Sequence, residues 1–230
     1  MPLPINRYRP SAQQRGEDTR RRILDTALAL FAAAGFSGVS TREIAEHAGV
    51  NLPAIQYYFG SKEGLYRAVI AHIGEELAQI IAPIAAQARN CLASGTPSRN
   101  QAINLLCELI KALVAMFLDE SLPNRENCCL FVSRVEVEDT EALDTLHEIW
   151  REHVQTPAAG LVGFLMDRPS GDEEVVLRTL MILGQIKVFC SRAAMRGLGW
   201  QSIDQGRIQI VQKMADEHTR AICRALKGSA

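Results

Sequence analysis

Arg42, Gln56 and Lys62 are the side chains of this 230-residue chain whose types and spacing best fit a chemical task. A guanidinium can hold the O6 and N7 edge of a guanine, and a carboxamide can pair with an adenine edge. Thr41, Tyr57, Tyr58 and Lys62 supply hydroxyls and an ammonium group suited to phosphate oxygens, which fix register without reading sequence. Leu52, Pro53 and Ala54 are small or apolar, as contact with a thymine methyl requires. The chemistry is reversible recognition of a duplex.

Covalent chemistry finds little support. His147-Glu148 opens like a zinc-protease motif, but the next histidine is His153, too late to ligate the same ion from one helix face. A di-iron bundle needs two Glu-x-x-His pairs, and the chain offers only Asp144-x-x-His147. There is no Gly-rich phosphate loop and no Gly-x-Ser-x-Gly elbow. The six cysteines form no Cys-x-x-Cys pair, which speaks against a zinc ribbon and for buried free thiols. Cys128-Cys129 would serve as a redox sensor only with an exposed, activated thiolate. No enzyme activity, metal or cofactor is expected.

The elements that must position the recognition residues are legible in the turns around them. Ser40 and Glu43 have the spacing of a capping box, in which each side chain satisfies an amide at a helix start. Ile44, Ala45 and Ala48 make a short apolar stripe, and Gly49 stands where the chain must leave the helix left-handed. Asn51 caps a second helix, with Pro53 in its first turn. Small Ala45 permits a steep crossing, and Val50 and Ile55 close the core between the two helices. Arg42, Leu52, Ala54, Gln56 and Tyr57 are left facing outward, the layout of a helix-turn-helix.

The run Thr41 to Glu63, closing on Tyr57-Tyr58-Phe59-Gly60-Ser61-Lys62-Glu63, resembles the DNA-binding module of the TetR family of regulators. Ile23, Leu24, Ala27, Leu28, Phe31 and Gly35-Phe36 are similar to that family's opening helix. Phe131-Val132-Ser133-Arg134 and the long helix after Asp172 resemble its CecR-like subgroup. The resemblance implies a homodimer on a palindromic double-stranded DNA operator, most simply a repressor released by a small-molecule inducer. The rival reading is a helical sensor or scaffold acting through protein partners without specific DNA binding.

Apolar periodicity and breakers divide the rest into helices, with no strand alternation. The expected fold is all-α with about nine helices. Residues 1–16 are read as a mobile arm whose Arg7 and Arg9 could touch DNA, 17–62 as the three-helix head, and 63–230 as a ligand-binding and dimerisation body. The first helix should start near Asp18, and Pro83 should kink or restart the fourth. No uninterrupted apolar run approaches the roughly 20 residues of a bilayer span, and no signal peptide is evident, so a cytoplasmic protein without membrane contact is expected. Net charge is −1, but residues 1–70 hold nine Lys or Arg against six Asp or Glu, and the remainder sixteen against twenty. A mildly basic head suits phosphates.

Val175, Leu180, Leu183 and Ile186, with Ile208 and Val211, offer apolar surface for a four-helix dimer interface. Met116, Phe117, Phe131, Trp150, Phe164, Gln185 and Phe189 could wall a pocket, with Arg134, His153 and Arg192 orienting a polar or anionic group. Gly74 and Pro83 are candidate flexing points of the fourth helix.

Overall fold

A capping box at Ser11 sets the start of α1 (Ala12–Ala34): the Gln14 amide donates to Ser11 Oγ at 3.1 Å, and the Ser11 amide to Gln14 Oε1 at 2.8 Å. The helix thus begins a turn and a half before the expected Asp18, because the cap holds a polar run that has no apolar periodicity of its own. The computed structural model describes residues 11–94, 97–122, 124–138, 141–190, 197–200 and 202–226. Arg7, Arg9 and Arg192 lie outside them. The described residues contain helices and turns and no strand. The chain divides into two compact units, Met1–His72 and Ile73–Ala230. The division falls inside α4 (Lys62–Ala93), further along than the 62/63 boundary read from the sequence.

In the first unit α1 buries Ile23, Leu24, Ala27, Leu28 and Phe31. Against them pack α2 (Thr41–His47), α3 (Leu52–Phe59) and the first turns of α4 through Ile44, Ala45, Ile55, Leu65, Tyr66, Val69 and Ile70. Tyr66 stands edge-on to both Phe31 and Phe36, with ring centres 5.0 Å apart in each pair.

The second unit is built around α5 (Arg99–Leu118), which buries residues on most of its circumference, from Ala102 and Ile103 to Val114 and Leu118. Around it lie α6 (Arg125–Glu138), α7 (Glu141–Trp150), α8 (Thr156–Met166), α9 (Glu173–Lys187) and α10 (Gln205–Ala225). α7 and α8 are joined without a break by a π turn, Arg151–Gln155, in which the Thr156 amide donates to the Arg151 carbonyl. Pro157 explains the turn: it has no amide for a residue one turn back, and its ring crowds that carbonyl, so the chain widens locally. Counted as one rod, these segments bring the described residues to nine helices. Pro83, by contrast, sits within α4 without ending it. Arg99 ties two helix ends together, donating to Leu165 O at 2.6 Å and to Leu226 O at 2.5 Å. By length and composition α4 and α5 could cross a bilayer, although charged residues interrupt both; α5 buries much of its apolar surface in the core.

Candidate nucleic-acid interface

The turn between α2 and α3 is held by backbone geometry and two caps. The Glu43 amide donates to Ser40 Oγ at 3.1 Å, and the Ala54 amide to Asn51 Oδ1 at 3.0 Å. Gly49, at φ 62°, occupies the left-handed region that side chains other than glycine resist. The Val50 amide then returns to Ala45 O at 3.0 Å. Ile55 is 2% exposed and locks α3 from within.

With Ile55 inside, helical periodicity sends the neighbouring side chains outward. Leu52 is 46% exposed and Tyr57 83%, although burial of such large apolar surface is worth roughly 1.5–3 kcal/mol per side chain. Leu52, Pro53, Gln56 and Tyr57 line one open concavity along α3. Arg42 is exposed on α2; Thr41, Ala54, Tyr58 and Lys62 are half-buried. Tyr57 and Tyr58 meet edge to face at 5.0 Å. Ser61 caps α4, accepting from the Gly64 amide at 3.1 Å. Lys62, in the first turn, lays its Nζ over the Phe36 ring, 4.4 Å from its centre. That partnership carries no signature in sequence spacing, and sequence reasoning missed it.

The residues proposed for ligand and dimer contacts scatter more. Gln185 and Phe189 line a groove of about 160 Å³ with Val114, Ile186, Val211, Met214, Ala215 and His218. That volume is below the 300–1,000 Å³ of ordinary small-molecule pockets. Gln185 is held by the Thr219 hydroxyl, with its Nε2 donating at 2.9 Å. Met116, Phe117, Trp150 and Phe164 are half-buried and pack against the core of the second unit. Phe131 is buried on α6, Arg134 half-buried on the same helix, and His153 half-buried in the π turn. Glu136, also on α6, receives Lys187 Nζ at 2.8 Å. Gln185 and Phe189 are the ones brought to a common groove.

Of the six dimer candidates only Leu180 is exposed. Val175, Leu183, Ile186, Ile208 and Val211, read from the sequence as interface residues, are buried in the second unit's own core. Apolar periodicity marks the buried face of a helix and cannot by itself separate core from interface. The apolar outer face joins Leu180 to residues outside that set: Leu177, Met181 and Val188, and Ile210, Met214 and Ile222 on α10, each at least 37% exposed. The steps 177, 180, 181, 184 and 188, with Gly184 in the set, were a readable signal.

Cys107 and Cys223 are buried, and burial pushes their thiols up to about 12 and about 11. Cys128 and Cys129 are half-buried on α6. No cluster of three or more His, Cys, Asp or Glu able to hold a metal occurs among the described residues.

A family model for bacterial regulatory proteins of the tetR family matches residues 23–69, and one for the C-terminal domain of HTH-type transcriptional dual regulator CecR matches residues 102–226. The chain is 26% identical over 219 residues to HTH-type transcriptional dual regulator CecR of Shigella flexneri, covering 94% of this chain and 96% of that protein. HTH-type transcriptional regulator RutR of Escherichia coli strain K12 is 46% identical over 54 residues, 24% of this chain and 26% of its own length. Among solved structures, transcriptional regulator FadR from Bacillus subtilis in complex with stearoyl-CoA superposes with a TM-score of 0.61 at 18% identity, covering 86% of this chain and 96% of that one. The multidrug binding protein EbrR complexed with malachite green gives 0.58 at 18% identity, covering 88% and 96%. At such identities these two likenesses speak for the fold.

Proposed function

The chain belongs to the TetR family, with a CecR-type C-terminal domain, and is thereby a ligand-responsive DNA-binding transcriptional regulator and not an enzyme; from that premise we propose how its own residues do the work. Two copies read the halves of a palindromic operator, each inserting α3 in a major groove. The observation that carries this is the outward face of α3, where Leu52, Gln56 and Tyr57 stay exposed while Ile55 anchors the helix. Arg42 and Gln56 contact base edges, and Leu52, Pro53 and Ala54 meet thymine methyls. Thr41, Tyr57, Tyr58 and Lys62 hold phosphates.

Dimerisation uses the apolar outer face of α9 and α10, including Leu180, rather than the buried residues first expected. A small molecule binding the helical body favours a state whose two reading heads no longer match the grooves, and it does so only through differential affinity for the two states. α4 runs from the first unit into the second and transmits that change. That the FadR and EbrR structures hold stearoyl-CoA and malachite green supports an organic molecule as the inducer class. Arg134 and His153 would orient its polar part. Repression relieved by ligand is the simplest output, and the cytoplasm is where it acts.

The test is fluorescence anisotropy with DNA from upstream of the protein's own gene, against an unrelated duplex, across a salt series. The reading predicts saturation at two chains per site, a marked preference for the upstream DNA, and a steep loss with salt. Equal, weak binding to both duplexes would favour the scaffold reading.

A further inference from the structure

Lys62 sits where a lysine is locally unfavourable. It opens α4, and the positive end of a helix dipole disfavours a cation by a few tenths to about 1 kcal/mol. Its four-carbon stem would also lose rotamer freedom on gripping a phosphate. Phe36 offsets both. The ring is half-buried, with Tyr66 edge-on at 5.0 Å and Phe31 stacked at 6.1 Å, contacts that restrict its motion. The ammonium lies 4.4 Å from the ring centre, within the range of cation–π attraction. Such attraction leaves the N–H donors available, whereas a carboxylate partner would compete with a phosphate for them.

Resting on the reading of Lys62 as a phosphate contact, we propose that Phe36 is a positioning residue for DNA binding. Its face holds the Lys62 ammonium pre-placed for the backbone phosphate beside α4. Phe36 touches no nucleotide; it acts through Lys62, and the aromatic trio Phe31–Phe36–Tyr66 is the rigid mount.

A double-mutant cycle on operator affinity, with full-length protein and a salt series, tests this. Phe36→Leu should weaken binding about threefold to tenfold in the wild-type background, the size of a cation–π contribution. Added to Lys62→Ala it should change nothing. Phe36→Tyr, which keeps the face, should bind like wild type. Equal losses from Phe36→Leu in both backgrounds would overturn the proposal, leaving only a packing role. If Phe36→Leu fails to fold, the wild-type protein still decides. The Lys62 ε-methylene protons, assigned against Lys62→Arg, should show a ring-current upfield shift, and random-coil positions would overturn the proposal. A wild-type protein that binds no operator at all would instead sink the DNA-binding reading.

Discussion

At the residue scale the proposed contacts separate side chains that read from those that hold. On that proposal Gln56→Ala should cost about 1–3 kcal/mol on the preferred operator while relaxing choice at one position in each half-site. Lys62→Ala should weaken all duplexes alike and flatten the log–log salt dependence by about 0.9 per subunit, about 1.8 per dimer. Competition among operator variants across salt separates the two. In the second unit, Asp216 receives Arg220 Nε at 2.7 Å and lies 2.9 Å from Lys111 Nζ. Arg220's hydrogen bond, then Lys111's, hold its carboxyl below the usual range. A lowered folded value means the contribution to stability is complete above the ordinary carboxylate pKa and fades as pH falls through the folded one. Wild-type stability should therefore decline below about pH 4 by more than that of Asp216→Asn, as acid-series thermal melts would show.

At the scale of elements, helix starts are cheap to read and contacts between helices are not. Asn51→Ala should cost about 1 kcal/mol, the usual value of a lost N-cap, because Asn51 Oδ1 accepts the Ala54 amide. Gly74 is different. A methyl group built there would lie 2.8 Å from Ile149 Cδ1, so the glycine admits α7 against α4 and is not a bare hinge. Gly74→Leu, too large for the Ile149 side chain to yield to, should lower stability by about 1–3 kcal/mol through overpacking, measured by chemical denaturation. The reading head was legible because its signals are local: Ser40 with Glu43, Gly49, Asn51 and Pro53 each act within a turn. The π turn at Arg151–Gln155 answers to a proline downstream, and the Lys62–Phe36 stack joins residues from separate elements. Neither leaves a periodic trace.

At the scale of the whole molecule, the proposed pairing turns on which side of α9 the core occupies. Val175 and Leu183 alternate with Leu177, Leu180 and Met181 around the same helix, and apolarity marks both sides of α9. Packing of α9 against α8 and α5 decides which side the core has taken. Met181→Glu should turn the dimer into monomers at micromolar concentration in sedimentation velocity. Leu183→Ala should leave the association unchanged and cost about 2–5 kcal/mol of folding stability. The central claim is that paired copies of α3 read duplex bases. Selection from a randomised duplex library with the full-length protein tests it most directly. The account predicts enrichment of one palindrome with half-sites about one helical turn apart, and Gln56→Ala should alter symmetric positions in both halves. A library that emerges without enrichment, or with a site lacking two-fold symmetry, would contradict it.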